Sequence, residues 1–422
     1  MVEQARPAQP IDRERLIADL CDLVRIPSVT GSEEAVAAWA AAALRDAGLD
    51  VDEIAADPEA IRDDPAWPGQ EMPRTTLPVL IGRAGRTARY GAARRLILSG
   101  HLDVVPAGDP ATWTADPWGA EIRDGELYGR GACDMKGGVA AIIAAVRTLE
   151  ASGELGRLDG ELLVVLVPSE EDGGQGTLAA IRAGATGDLA VIAEPSGLDI
   201  VIAHAGAITF RLTVPGRAAH ASRRREGVSA LDKLWVISRA LEMDETRRNA
   251  EETDPIMTAL GMPYPTMIGI VNGGEWASTV LDRVVADGRY GVRLGQSDAD
   301  AEAELRACIA AACAGDDFLR DHPVEVEITG ARFGSARVAA DHPLPVGLAD
   351  AAESVTGRRP GLLGAPYGAD MRLFVNVGRT PCVIFGPGDV RVAHSADEHV
   401  PLDEVETCAT VLAAWVRSEL LA

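Results

Sequence analysis

The amino-acid sequence predicts an α/β protein whose mixed, largely parallel sheet is interrupted by a smaller ferredoxin-like α+β domain. Short apolar segments alternate with helical ones, as they do in proteins built on a parallel core sheet. A length of 422 residues also exceeds that of one typical domain. The predicted core strands cover residues 78–82, 95–99, 161–167, 189–193 and 382–385.

Three helices are predicted in the first half of the chain. The first covers residues 12–24, where apolar residues recur on one face. The second begins at Ser32 as its N-cap and stops at Gly48. The third covers residues 135–149, and the Pro- and Asp-rich residues 56–76 are expected to form a loop.

The stretch 205–332 follows the order β-α-β-β-α-β, which is typical of a ferredoxin-like domain. Its helices are predicted near 227–243 and 298–314, between segments of alternating apolar and polar residues. We therefore predict an inserted domain at 205–332, with residues 1–204 and 333–422 forming the larger domain.

Composition limits the partners and the compartment. The chain has 40 Lys+Arg and 64 Asp+Glu, a net charge of −24, which argues against nucleic acid or an anionic membrane. Residues 1–16 lack the apolar core of a signal peptide, and the longest apolar run, 35–44, is shorter than the roughly 20 residues that span a bilayer. Six cysteines without a CxxC pair are expected to be reduced in a cytoplasmic protein.

The pair His101 and Asp103 follows a predicted strand. Their spacing places both side chains on one face of extended chain. A metal-bound histidine commonly donates its second N–H to a carboxylate, although that carboxylate need not be Asp103. A solvated or capping role is equally compatible with these two residues.

Acidic residues stand at two further boundaries. Asp134, in YGRGACDMKGG, is either the N-cap of the third helix or a ligand left uncovered by the neighbouring glycines. Glu170 and Glu171, in PSEEDGG, follow a very apolar strand, where adjacent carboxylates repel one another. They form either a solvated turn or a cation site, and in extended chain they point in opposite directions, which predicts different roles.

The argument for a site comes from the set of residues. Residues of this set fall just past the carboxyl ends of predicted strands, the edge at which α/β sheets bind ligands; they are His101, Glu170, Glu171, Glu194 and His394. Histidine and carboxylate suit divalent cations, and a two-metal site activates water and polarises a carbonyl group. A free carboxylate can then take the proton of the water, so the set predicts amide hydrolysis.

At this point the sequence resembles the acetylornithine deacetylase / succinyl-diaminopimelate desuccinylase family, which also contains aminoacylases and glutamate carboxypeptidases. The resemblance covers nearly the whole chain. The matching segments are SGHLDVVPAGD, YGRGACDMKGG, VPSEEDGGQGT, IAEP, VPGRAAHAS, YGADMRLF and FGPGDVRVAHSADE.

The resemblance implies a phosphorylase/hydrolase-like catalytic domain, a dimerisation (lid) domain and two Zn²⁺ per subunit, with Co²⁺ or Mn²⁺ able to substitute. It assigns His101 and Glu194 to one zinc ion. It assigns Glu171 and His394 to the other, with Asp134 as the bridging ligand.

The resemblance also implies catalytic roles. Glu170 would act as general base and then as proton donor to the leaving amine, and Asp103 would support the first metal site. His220, in GRAAHAS, would reach the active site of the partner subunit in a homodimer and hydrogen-bond the oxyanion. The alternative for His220 is a histidine in a surface turn.

Substrate contacts follow the family pattern only in part. Gly368, Asp370 and Arg372 resemble the segment that lines the substrate carboxylate pocket. Many members carry an Asn-x-x-Pro element whose asparagine contacts substrate, but here Ser278 stands at the asparagine position. Asn272 or Arg283 could take over that contact.

The leading functional prediction is a deacylase acting on an N-acylated amino acid or similar amine. Glu194 favours it, since deacylases and carboxypeptidases of this family carry Glu at that position and aminopeptidases tend to carry Asp. A dipeptidase or carboxypeptidase is the alternative. A catalytically silent binding protein is a third reading, against which the presence of Glu170 argues.

Overall fold

The computed structural model describes residues 9–85 and 94–421. The first half of the segment on which the absence of a signal peptide was predicted, residues 1–8, lies outside the described residues. The helices are α1 (Arg13–Arg25), α2 (Glu34–Asp46), α3 (Pro58–Arg62), α4 (Gly137–Ala151), α5 (Gln175–Arg182), α6 (Ala230–Ala250), α7 (Pro255–Thr258), α8 (Asp298–Gly315), α9 (Pro343–Thr356) and α10 (Leu402–Leu420). The strands are β1 (Asp50–Ala56), β2 (Leu77–Gly85), β3 (Arg94–His101), β4 (Glu121–Arg123), β5 (Glu126–Tyr128), β6 (Gly160–Val167), β7 (Leu189–Ile192), β8 (Ile200–His204), β9 (Gly206–Pro215), β10 (Thr266–Gly273), β11 (Arg283–Val292), β12 (Glu325–Phe333), β13 (Ala336–Arg337), β14 (Leu362–Ala365), β15 (Cys382–Ile384) and β16 (His399–Pro401).

A large mixed sheet forms the centre of the molecule. Its order is β1-β2-β6-β3-β7-β15-β8-β13, with β14 paired to β8. The run β6, β3, β7 and β15 is parallel throughout, whereas β1 and β2 are antiparallel to their neighbours. All eight residues of β6 are buried, so both faces of the sheet are covered, as parallel strands require. The predicted fold class is therefore confirmed.

A second sheet of four strands has its own apolar core. Its order is β10-β11-β9-β12, and every pairing is antiparallel. Inward residues such as Phe210 of β9 pack with Ile237 of α6 and Leu305 of α8. This is the β-α-β-β-α-β arrangement that the sequence predicts; the boundaries 205 and 332 of an inserted domain stay a prediction.

Three predicted details differ in the structure. The N-cap of α2 is Glu33 rather than Ser32, and the Glu33 carboxylate accepts the Gly31 N–H at 2.7 Å. The predicted loop 56–76 contains the short helix α3. The third helix begins at Gly137 rather than at 135, because Asp134 and Met135 have non-helical backbone angles.

The start of α4 lies directly against the end of β7. A Cβ atom on Gly138 would stand 1.9 Å from the carbonyl oxygen of Ala193, so a side chain there would push the helix away. Glycine therefore permits the close approach that brings the turn before α4 next to the residue that follows β7.

Two further observations bear on the predicted compartment. Among the helices of the described residues, none combines the length and the apolar character needed to cross a bilayer. All six cysteines are free thiols.

Candidate metal centre

Four neighbouring parallel strands bring the predicted site residues to one edge of the large sheet. His101 is the last residue of β3, Glu170 follows β6, Glu194 follows β7 and His394 lies in the loop beyond β15. Parallel neighbours end at the same edge, which places these side chains together. Asp134 joins them from the turn before α4.

The side chains form two clusters that share Asp134. In the first, His101 Nε2 lies 3.0 Å from Asp134 Oδ1 and 3.5 Å from Glu194 Oε1. In the second, His394 Nε2 lies 3.4 Å from Asp134 Oδ2 and 3.1 Å from Glu171 Oε1. Each oxygen of Asp134 thus faces a different histidine, which is the arrangement of a bridging carboxylate.

The ring of His101 is oriented for coordination. Its Nδ1 lies 2.8 Å from the carbonyl oxygen of Asp103, and a carbonyl can only accept, so Nδ1 carries the proton. In the neutral ring Nε2 then presents a lone pair toward the Asp134 carboxylate. A cation held by both Nε2 and the carboxylate would satisfy both acceptors, so the geometry fits a metal ion.

The pKa values in the clusters show that the buried carboxylates and histidines interact strongly. Burial, together with repulsion from Asp134, raises the pKa of Glu194 to about 8 and that of Glu171 to about 7. Although burial opposes its ionisation, hydrogen bonds with both histidines hold the pKa of Asp134 below its usual range. Hydrogen bonds with Asp134 and Glu171 raise the pKa of His394 to about 11.

Glu170 places a further carboxylate beside the first cluster. One donor atom each of His101, Glu170 and Glu194 lie within 4.8 Å of one another. Burial raises the pKa of Glu170, as do the nearby carboxylates of Asp370 and Glu194. Metal ligation requires ionised carboxylates and neutral histidines. In that state the four carboxylates would carry about −4, which two divalent cations would balance.

Asp103 contacts His101 through its backbone carbonyl and the Glu170–Glu171 turn through its side chain. Its carboxylate oxygen lies 3.7 Å from His101 Nδ1, whose proton goes to the Asp103 carbonyl instead. The carboxylate accepts the backbone N–H of Glu170 at 3.1 Å and that of Glu171 at 3.2 Å, and the Thr30 hydroxyl at 3.0 Å. Asp103 therefore fixes the turn that carries the two glutamates.

Glu398 holds the Asp134 turn, although no sequence pattern predicted a role for it. It is fully buried, and its Oε1 accepts the N–H groups of Cys133 at 3.1 Å and of Asp134 at 3.0 Å. Its Oε2 accepts a hydrogen bond from the buried Arg130. The only sequence signal was its place in the HSADE segment.

A cleft of about 450 Å³ opens at the two clusters. Among the predicted substrate residues, Gly368 lines it, and a Cβ on Gly368 would stand 2.4 Å from Phe333 Cβ. Glycine therefore makes room for the Phe333 ring in the wall of the cleft. Two further lining residues that sequence reasoning missed are Arg289 of β11 and Glu71 of the loop after α3.

Asp370 and Arg372 are buried and are not among the described residues that line the cleft. The guanidinium of Arg372 donates to the carbonyl oxygens of Ala369 at 2.9 Å and Gly173 at 2.7 Å. The Asp370 carboxylate accepts from the Thr177 hydroxyl. Both side chains thus bind neighbouring protein groups rather than face the cleft.

His220 and Asn272 lie away from the cleft. His220 is exposed, and its Nδ1 accepts the Ser222 N–H at 3.2 Å. Asn272 is exposed on β10 and lines a separate depression of about 580 Å³ beside Trp276. The structure of one chain therefore does not bring either side chain to the two clusters.

The site combines two histidines and several carboxylates at the carboxyl edge of a mixed α/β sheet. This combination is typical of metal-dependent hydrolases. The family model described as Peptidase family M20/M25/M40 matches residues 97–418, and the chain belongs to this family.

Curated relatives support the same assignment. Succinyl-diaminopimelate desuccinylase of Gluconacetobacter diazotrophicus is 30% identical over 412 residues, covering 94% of both chains. Succinyl-diaminopimelate desuccinylase of Rhodospirillum rubrum is 31% identical over 342 residues, covering 76% of this chain and 82% of its own.

Solved structures share the fold. The metallo-carboxypeptidase Sso-CP2 of Sulfolobus solfataricus has a TM-score of 0.74 at 16% identity, covering 96% of this chain and 99% of that one. The aminopeptidase PepT of Bacillus cereus has a TM-score of 0.69 at 21% identity, covering 97% and 99%. The YXEP protein of Bacillus subtilis, a dinuclear metal binding peptidase, has a TM-score of 0.59 at 14% identity, covering 96% and 97%.

Proposed function

We propose that the chain is a di-zinc amidohydrolase that removes the acyl group from an N-acylated amino acid or a similar amine. The observation that carries the proposal is the position of Asp134, whose two oxygens face His101 and His394 separately at 3.0 Å and 3.4 Å. A carboxylate so placed can bridge two cations.

Each cation would have three protein ligands. His101, Glu194 and Asp134 would hold one ion, and Glu171, His394 and Asp134 the other. Histidine nitrogen and carboxylate oxygen without cysteine are a donor set of catalytic zinc, which Co²⁺ or Mn²⁺ can replace. When bound, two such ions would supply Lewis acidity for the scissile carbonyl group and would acidify water. The dinuclear metal site named for the Bacillus subtilis relative supports the stoichiometry.

Glu170 would move the proton. Its carboxylate would take a proton from the attacking water as the new C–O bond forms, and would return it to the amine nitrogen as the C–N bond breaks. The backbone N–H donated to Asp103 holds Glu170 in place for both steps. The crowding of its carboxylate by Glu194 and Asp370 favours a group that readily holds a proton.

The acyl group of the substrate is proposed from the relatives. Succinyl-diaminopimelate desuccinylases match most of the chain, which supports an N-acyl amino acid, and a succinyl group among the acyl groups to test. A dipeptidase or carboxypeptidase would use the same cleft and the same ligands, so product analysis has to separate these activities.

A homodimer belongs to the same proposal. His220 is exposed outside the cleft of its own chain, so it could reach an active site only in a partner. The helix α6, the edge strand β10 and the turn after β10 carry exposed apolar side chains that a partner would cover. They are Trp235, Met243, Ile270 and Trp276, which are 62%, 68%, 54% and 74% exposed. Sedimentation of the wild type and of Trp276→Glu tests it, with a monomer expected for the variant. We also propose a cytoplasmic location, which the six free thiols support.

The decisive experiment is Glu170→Gln in protein reconstituted with zinc. Hydrolysis of N-acetylornithine, N-succinyl-diaminopimelate and a set of dipeptides is followed by amine release. We expect the variant to retain two zinc ions and to lose turnover by about 10²–10⁴-fold, the usual contribution of a general base. Full turnover in the metal-loaded variant would refute the role of Glu170, and release of amine only from dipeptides would select the peptidase alternative.

A further inference from the structure

Among the described residues that line the cleft, Tyr367 is the only one whose side chain carries a hydroxyl group. It stands two residues after β14, and its ring packs against the apolar core of the large sheet. A packed ring leaves its hydroxyl little freedom to move. The fold therefore holds this donor at a defined place in the cleft wall.

The Tyr367 hydroxyl differs from those of the other described tyrosines. Each of the others donates to a carboxylate; the pairs are Tyr128 with Glu126, Tyr264 with Glu252 and Tyr290 with Asp244. The Tyr367 hydroxyl has no hydrogen-bond partner among the described residues. Burial raises its pKa, as do the nearby carboxylates of Glu194, Asp134 and Glu170. Because a buried tyrosine hydroxyl usually has a partner, we expect its acceptor to come from a ligand.

The surrounding groups limit what this acceptor can be. In the proposed hydrolysis, Glu194 and Asp134 would hold cations and Glu170 would carry the proton, so these carboxylates have other tasks. The scissile amide has to approach the same three groups to be hydrolysed. Its carbonyl oxygen accepts hydrogen bonds, whereas its N–H only donates. The carbonyl oxygen is therefore the acceptor that hydrolysis brings to Tyr367.

We propose that the Tyr367 hydroxyl donates a hydrogen bond to the acyl carbonyl oxygen of the substrate, and that this bond strengthens as the oxygen becomes an oxyanion. The inference rests on the proposed function. It adds a catalytic residue from the same chain as the proposed metal ligands, whereas His220 would come from a partner.

The hydrogen bond serves both halves of the reaction. When water adds to the carbonyl carbon, the π electron pair moves to the oxygen, and Tyr367 keeps its proton while it stabilises the new charge. When the carbonyl group forms again, the C–N bond breaks and the amine nitrogen takes the proton held by Glu170.

A neutral donor suits this position. An arginine or lysine beside these carboxylates would form ion pairs with them and compete with the proposed cations. A phenol stays neutral and, because its pKa is raised, retains its proton next to a growing negative charge. Its hydrogen bond to the neutral ground-state carbonyl is weaker than that to the oxyanion, so it acts mainly on the transition state.

A structural role of the hydroxyl makes a different prediction. Tyr367→Phe keeps the packed ring and removes a group without a protein partner, so it should retain two zinc ions and the wild-type free energy of unfolding. Tyr290→Phe should be destabilised, because the buried Tyr290 donates to Asp244 at 2.7 Å. Loss of zinc or of stability in Tyr367→Phe would assign the hydroxyl a structural role and overturn the inference.

The experiment measures kcat and KM of the zinc-loaded wild type and of Tyr367→Phe on the N-acyl amino acid that the wild type hydrolyses fastest. We expect kcat to fall by about 10- to 100-fold, the effect of one hydrogen bond to a charged group. KM should stay within about two-fold, since the bond acts on the transition state. A phosphinate analogue, in which tetrahedral phosphorus replaces the scissile carbonyl carbon, should lose affinity by the same factor as kcat/KM.

The control is Tyr128→Phe, which removes a hydroxyl from a tyrosine that is half-buried like Tyr367. Tyr128 donates to Glu126 at 2.9 Å and is not among the described residues that line the cleft, so its kinetics should match the wild type. An unchanged kcat in Tyr367→Phe, a raised KM alone, or an unchanged affinity for the phosphinate would overturn the inference while leaving the hydrolase intact. A wild type that hydrolyses none of the amides would refute the proposed function, and with it the inference.

Discussion

Replacement of Glu398 by Gln should lower both the free energy of unfolding and the affinity for zinc. The buried carboxylate serves three donors at once, the N–H groups of Cys133 and Asp134 on one oxygen and Arg130 on the other. The Gln side chain has one acceptor oxygen and one NH2 group, which only donates. In either orientation its NH2 group would therefore face donors, either the two backbone N–H groups or the Arg130 guanidinium. Loss of one partner of a buried ion pair typically costs about 3–5 kcal/mol.

The functional consequence is specific to this glutamate. If the Asp134 turn loses its acceptor, the carboxylate that lies between His101 and His394 is no longer held in place. We therefore expect Glu398→Gln to bind fewer than two zinc ions, or to bind them about 10–100-fold more weakly, as for other residues that position metal ligands.

A matched variant separates the two effects. Glu161 is also buried and pairs with Arg95 at 2.6 Å and Arg83 at 3.5 Å, but it stands at the amino end of β6, away from the proposed metal ligands. Urea denaturation of the metal-free proteins should show a loss in both Glu398→Gln and Glu161→Gln. Calorimetric zinc titration should show weaker binding only in Glu398→Gln. Equal zinc affinity in the two variants would refute the positioning role of Glu398.

Three further results are expected. Chelation should abolish hydrolysis, and added Zn²⁺ or Co²⁺ should restore it, because the ligands of the two clusters have no catalytic function without cations; activity that persists in protein shown by elemental analysis to be metal-free would contradict this. His220→Ala should lower kcat by about 10²–10³-fold, the cost of one oxyanion donor, while zinc content stays at the wild-type value; an unchanged kcat would restrict His220 to the surface. Gly138→Ala should destabilise the protein by about 1–3 kcal/mol in urea denaturation, because the added Cβ would meet the Ala193 oxygen at 1.9 Å. Within a helix, Gly→Ala usually raises the free energy of unfolding by about 0.5–1 kcal/mol. A stabilised Gly138→Ala variant would therefore refute the packing argument.

The edge of the sheet at which the site forms could be read from local patterns. Apolar strands and the residues that follow them are close in sequence, so His101, Glu170 and Glu194 could be placed without tertiary information. The start of α4 was predicted at residue 135, two residues too early, because Asp134 at the start of an apolar helical run resembles an N-cap. In the structure its carboxylate faces two histidines instead.

The roles assigned within the site depended more on contacts between distant segments. Asp103 was expected to support the first metal site, and the spacing left its contact open. In the structure its carboxylate accepts the N–H groups of Glu170 and Glu171, in the turn after β6. Glu398 lies 264 residues from Asp134 in the chain, and Arg289 lies 218 residues from Glu71. No periodicity or spacing connects residues at such separations.

The sequence by itself determined the fold class, the β-α-β-β-α-β order of the segment that forms the four-stranded sheet, and the residue types that meet at the edge of the large sheet. It could do so because burial imposes a period of about two on strands and of about 3.6 on helices, and because neighbouring parallel strands end together. Only the tertiary structure decided which oxygen of Asp134 faces which histidine and which carboxylate holds the Asp134 turn. It also decided that an arginine of the small sheet enters the cleft wall. Hydrogen bonds and ion pairs act over a few ångströms, so their partners are fixed by packing in three dimensions rather than by order along the chain.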